Sequence, residues 1–124
     1  MGGDGERYQD IQQGNLDNNL KIAEIISQVV YNYIAKKLGE YLYEVDIDVS
    51  FTGDSVSVEV EAEGSPIIDQ SLLDATIDEA TKLGIIVADM AKEGLIKPDE
   101  DKVSVLRKAL RRLRELSKNS VGDA

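Results

Sequence analysis

The chain has 124 residues, 14 of them basic and 24 acidic, with neither a cysteine nor a histidine. That length bounds one domain with one modest core, and the two missing residue types exclude disulfides, thiolate or imidazole metal sites and the cysteine and serine–histidine nucleophile systems. No apolar run approaches the roughly 18 residues of a membrane span, so a soluble, cytoplasmic protein is expected; the charge is divided, residues 1–101 summing to −15 and 102–124 to +5.

Residues 1–15 hold four glycines and only Tyr8 and Ile11 as sizeable apolar groups. Too little surface can be buried there to offset ordering, which predicts a disordered tail over 1–15 ahead of a single domain over 16–118. From Asp17, an N-cap by residue type, Leu20, Ala23, Ile26, Val29, Val30, Tyr33, Ile34 and Leu38 recur at helical spacing, and Ile22 and Ile25 broaden the stripe. A first helix over 17–38 follows, stopped by Gly39. Tyr31, Tyr33, Tyr41 and Tyr43 gather near its end. They suit either a base-stacking platform or, as the amphipathic ring favours, a roof over the core with hydroxyls at the rim.

Val45, Ile47, Val49 and Phe51 then alternate with acids and a serine, as do Val56, Val58, Val60 and Ala62. Period two on both sides of Gly53-Asp54 predicts a β-hairpin with one buried face. A two-residue turn at Gly53-Asp54 and a four-residue loop from Thr52 to Ser55 both pair residues whose numbers sum to 107. A slip by one residue would turn an apolar set into solvent. The same register places Glu44 opposite Glu63, Asp46 opposite Glu61 and Asp48 opposite Glu59 on the outer face, at a cost of roughly 1 kcal/mol in like-charge repulsion.

Gly64-Ser65-Pro66 breaks the second strand, and Ser71-Leu72-Leu73-Asp74 resembles a capping box that opens a second helix over 71–93. Leu73, Ile77, Ala80, Gly84, Val87 or Ala88, Ala91 and Leu95 form one stripe, and Leu72, Leu83, Ile86 and Met90 a second, so this helix should touch both the hairpin and another element. Gly84 within a stripe points to a close helix approach, although Leu83 to Ala88 also reads as a third strand. After Gly94, Pro98-Asp99-Glu100-Asp101 opens a basic third helix over 99–118, followed by a 119–124 tail. Val103, Leu106, Leu110, Leu113 and Ser117 make its apolar seam, and docking is expected mainly through Leu106, Leu110 and Leu113.

Two charged surfaces are the functional candidates. Four carboxylates, Asp46, Asp48, Glu59 and Glu61, form a set that a hard cation accepts, but flat strands spread ligands rather than wrap them. A partner-facing or solvated surface, flanked by Glu44 and Glu63, is the favoured reading. Arg107, Lys108, Arg111, Arg112 and Arg114 suit nucleic-acid phosphates, against the repulsion of a −10 chain, or the acidic body of the same chain or a twin.

The order helix, acidic hairpin (Val45-Asp46-Ile47-Asp48-Val49, then Val56-Ser57-Val58-Glu59-Val60), Ser65-Pro66, and helix with Thr76-Ile77-Asp78-Glu79-Ala80 resembles a family of small uncharacterised archaeal proteins often encoded near the prefoldin beta subunit. The likeness covers about residues 20–93 and implies the order α-β-β-α without catalytic residues; the basic third helix lies outside it. The expectation is therefore an α+β domain of order α-β-β-α-α whose hairpin is covered on one face by helices. A two-stranded sheet is marginal alone, so extension to four strands by dimerisation is anticipated. Such a protein would be a non-catalytic homo-oligomer or subunit of a complex, with no cofactor, no metal and no membrane. Nucleic-acid binding through the basic helix is the alternative, and a carboxylate metal enzyme the third reading.

Overall fold

The computed structural model describes the backbone of residues 2–53 and 55–123 and the side chains of residues 18–53 and 55–118. The elements are α1 (Gly2–Leu38), a single 3₁₀ turn (Gly39–Tyr41), β1 (Leu42–Thr52), β2 (Ser55–Gly64), α2 (Gln70–Lys92) and α3 (Lys102–Asp123). This is the α-β-β-α-α order of an α+β domain. The tails expected over 1–15 and 119–124 fall on parts of α1 and α3 whose side chains lie outside the described residues. The helical backbone of α1 begins at Gly2 and that of α3 runs to Asp123.

The hairpin adopts the register that its alternation demands. Phe51 pairs with Val56, Val49 with Val58, Ile47 with Val60 and Val45 with Ala62, and Thr52 and Ser55 close a two-residue turn in which Gly53 takes φ +61°. The register shifts between Leu42 and Glu44, where Leu42 meets Gly64 and Tyr43 is left as the extra residue of a bulge. Both outer edges of this two-stranded sheet are unpaired.

Helices α1 and α2 lie side by side on the apolar face, α1 over β1 and α2 over β2. From α1, Ile25, Ile26, Val29, Val30, Tyr33, Ile34 and Leu38 are buried, whereas Leu20 is 65% exposed. From α2, Leu73, Ala80, Leu83, Ile86, Val87, Ala88 and Met90 are buried, and the segment from Leu83 to Ala88 is helix, not strand. Buried Thr76 is satisfied locally, its hydroxyl donating to the Leu72 carbonyl at 2.7 Å.

The three elements converge on Gly84. A Cβ built there would stand 3.0 Å from Val30 Cγ2, 3.1 Å from Val58 Cγ1 and 3.3 Å from Ile26 Cγ2. Each neighbour is a buried β-branched side chain with little rotamer freedom, so no side chain larger than hydrogen fits without displacement.

Both ends of α2 are capped, at the start by a residue other than the expected one and at the end at the expected Gly94. The N-cap is Asp69, whose Oδ1 accepts from Ser71 N at 2.9 Å, rather than Ser71. The chain beyond Pro66 is ready for a helix two residues earlier than the Ser71 box implied, and the carboxylate also suits the positive end. At the other end, Leu95 N donates to Met90 O at 2.9 Å and Gly94 N to Ala91 O at 3.1 Å, with Gly94 at φ +77°. That is a Schellman motif, and it carries Ile96 into the core at 4% exposure.

Helix α3 starts later than expected, at Lys102, with Asp101 Oδ2 accepting from Ser104 N at 3.3 Å. It packs on α1 and α2. Its buried centre is Val105 and Ala109, both fully buried, while Leu106, Leu110 and Leu113 are half-buried and Val103 is 53% exposed. The expected seam is thus an edge of the interface. A heptad stripe suits one partner helix, whereas α3 sits against two, and small Ala109 with compact Val105 lets it approach both.

Two stability predictions follow. Gly84→Ala should destabilise by up to about 2 kcal/mol, because overpacking of about 1–3 kcal/mol offsets or outweighs the roughly 1 kcal/mol of better helix propensity. Val105→Ala should cost about 2 kcal/mol and Leu110→Ala about half as much. Urea unfolding of the three variants checks both; a stabilised Gly84→Ala protein, or a larger loss at Leu110 than at Val105, would contradict the packing described.

Candidate interaction surfaces

The pleat of a hairpin with one covered face sends alternate side chains outward. Glu44, Asp46, Asp48, Glu59, Glu61 and Glu63 are accordingly all exposed, in the cross-strand pairs Glu44–Glu63, Asp46–Glu61 and Asp48–Glu59. Among the described residues no Lys or Arg stands within 4 Å of any of them, since the ion pairs present involve Asp78, Glu93 and Glu100. Nor does any group of three or more His, Cys, Asp or Glu among the described residues have an arrangement that would hold a metal ion.

The basic residues of α3 divide into two sets. Lys108 and Arg112 turn toward the α2–α3 connection: Lys108 Nζ reaches Glu100 Oε2 at 2.6 Å and the Leu95 carbonyl at 3.2 Å, and Arg112 Nη2 lies 3.4 Å from both carboxylate oxygens of Glu93. Glu100 is held further by Ser104 Oγ, which donates to Oε2 at 3.0 Å, and by Lys97 N, which donates to Oε1 at 3.3 Å. These contacts staple α3 to the end of α2. No sequence spacing announces them, because Glu93 and Glu100 reach their partners across a turn rather than along one helix.

Arg107, Arg111, Arg114 and Lys118 form the second set, all exposed and, among the described residues, without an acidic partner within 4 Å. They lie about 160–220° round the helix from the Val105–Ala109 face, so they look away from the body. The layer order then fixes where that is. Gly84 of α2 looks at the seam between α1 and the hairpin, while Ile86, about 200° further round α2, lines a groove with Leu113 and Leu116 of α3. The acidic face of the hairpin and the basic face of α3 are therefore opposite poles of the molecule.

Tyr33 is buried, with Lys37 Nζ 5.7 Å from its ring centroid, whereas Tyr31, Tyr41 and Tyr43 are exposed. Burial, and then the neighbouring Glu79 carboxylate, push the Tyr33 hydroxyl well above the usual phenol range. A cleft of about 570 Å³ at the hairpin tip is lined by Asn18, Asn19, Phe51, Val56, Ile96 and Lys92 among others. Lys92 is the single ionisable group among its described lining residues.

No family model, curated protein or solved structure matches this chain. Among the described residues no helix is long and apolar enough to cross a membrane.

The pKa shifts have a testable sign. The Lys108 ammonium, with help from the Lys97 amide and the Ser104 hydroxyl, holds the Glu100 carboxyl below the usual carboxylate range. A depressed pKa contributes stability above the unfolded value of about 4.3, and that contribution is lost as pH falls through the folded value. Lys108→Met should therefore lower Tm at pH 7, and the difference from the parent should shrink toward pH 3. At Tyr33 the sign reverses: the raised value contributes stability below about pH 10 and loses it as pH rises further, so Tyr33→Phe should soften the alkaline decline. Melting curves across pH check both, and a Lys108→Met deficit that is constant with pH would remove the staple.

Proposed function

We propose that this protein is a non-catalytic interaction module that works as an oligomer or as a small subunit of a larger assembly. The observation that carries this reading is the unfinished sheet. Of the eight side chains that the hairpin presents to its own helices, Val58 alone is fully within the core, and Val45, Ile47, Val49, Phe51, Val56, Val60 and Ala62 are only partly buried, with both strand edges open among the described residues. An isolated hairpin is marginal, and open edges are sites where a further strand or chain adds. A second copy or a partner chain that extended the sheet would cover what one chain leaves bare.

A second reading has an observation of its own. The outward row Arg107, Arg111, Arg114 and Lys118 is a phosphate-binding pattern, which supports nucleic acid as ligand, while the net charge of −10 opposes it at long range.

The primary reading is checked by light scattering after gel filtration, where a mass of two or more chains is expected at about 10–100 μM, the range in which modest interfaces associate. Hydrogen exchange should slow along β1 or β2 as that mass rises. A monomeric mass throughout, with exchange along both strands independent of concentration, would leave self-association without support.

A further inference from the structure

Resting on the interaction reading, we propose that copies of this chain associate head to tail, the basic outer face of α3 on one copy seating on the acidic outer face of the hairpin on the next. The two faces have opposite sign, and among the described residues neither has a counter-charge of its own chain within 4 Å: Glu44, Asp46, Asp48, Glu59, Glu61 and Glu63 on one side, and Arg107, Arg111, Arg114 and Lys118 on the other, are unpaired there. They cannot meet within one molecule, because the α1–α2 layer stands between them. Only a neighbouring copy can bring one to the other.

The dimensions agree. The three carboxylate pairs from Glu44–Glu63 to Asp48–Glu59 extend about 13 Å along the strands and about 5 Å across them. The row from Arg107 to Lys118 rises about 16 Å along the axis of α3, with steps of about 4.5–6 Å, and the long Arg and Lys stems absorb the difference. A helix laid along the hairpin therefore sets guanidinium groups above successive carboxylate pairs. Lys108 and Arg112, committed to Glu100 and Glu93, take no part.

Charge also distinguishes this contact from its rivals. Pairing one hairpin edge with the same edge of a twin would finish the sheet but leave the outer carboxylates without counter-charges, whereas a basic helix face supplies them. Nucleic acid would meet the basic face but also the −15 carried by residues 1–101. A second copy brings its acidic pole to the basic pole of the first. Because the two surfaces differ, the contact is heterologous, and since they face in opposite directions it does not close after two chains. Screening removes it, as the pairs are exposed.

Sedimentation of the full chain at 0.1 M and 1 M sodium chloride tests the proposal. At 0.1 M the mean mass should climb with concentration without a dimer plateau, and at 1 M about tenfold more protein should be needed for the same mass. The triple variant Arg107→Glu, Arg111→Glu, Arg114→Glu should lose this association, as should the fourfold variant Asp46→Lys, Asp48→Lys, Glu59→Lys, Glu61→Lys. Combining all seven changes should restore it, which misfolding or general charge effects would not do. A closed dimer that is indifferent to salt and to both variants would overturn the head-to-tail contact while leaving the interaction reading in place; a monomer at both salt concentrations would remove self-association of either kind. If the triple variant loses binding to a single-stranded RNA oligonucleotide while self-association is unchanged, the basic face serves nucleic acid and the proposal falls.

Discussion

Everything in this fold depends on how closely α2 can approach α1 and the hairpin at Gly84. A two-stranded sheet has too little apolar surface to stand by itself, and two helices laid on it help only if their axes come near enough for Ile26, Val30 and Val58 to touch across one point. The hydrogen at Gly84 makes that approach possible. The cost is a residue that weakens its own helix by about 1 kcal/mol, offset by the burial of the surrounding branched side chains at about 1.5–3 kcal/mol each.

The same layering separates the charges. With α1 and α2 between the hairpin and α3, acids on the outer strand positions and bases on the outer helix positions end on opposite sides, although they are adjacent neither in sequence nor in space. Neither surface is needed to hold the domain together, since exposed ion pairs are worth about 0–1 kcal/mol each and the core lies elsewhere. The α2–α3 staple is different in kind, because Glu100 gathers Lys108, Ser104 and the Lys97 amide at one turn, where several charge-assisted bonds act together.

The hairpin was legible because two independent constraints agree on it. Period two fixes which side chains share a face, and a turn at Gly53-Asp54 fixes which residues stand opposite; together they leave a single register, and the pairing from Glu44–Glu63 to Thr52–Ser55 follows it. Most of the stripes of α1 and α2 was legible because a continuous apolar face must be buried, but Leu20 at the start of one and Leu72 and Leu95 at the ends of the other stand exposed, beyond the reach of the packed layers. The close approach at Gly84 could be read as well, because a glycine inside an apolar stripe has few other uses.

What tertiary structure alone decided concerns elements with more than one acceptable face or partner. Helix α3 carries Val103, Leu106, Leu110 and Leu113 on one side and Val105 with Ala109 next to it, and the groove between two helices, not the heptad spacing, selected the second pair as the centre. Asp69 displaced Ser71 as the cap because the path of the chain after Pro66 set where α2 begins. Ile96 became core only through the Schellman turn before it, and Lys108 and Arg112 found partners within the chain only because that turn brings Glu93 and Glu100 beside α3. Local sequence determines periodicity, register and where a helix can start or stop, since those depend on neighbours along the chain. Which face is buried, and which charges are left for other molecules, depends on distances between residues far apart in sequence, which exist only once the layers have packed.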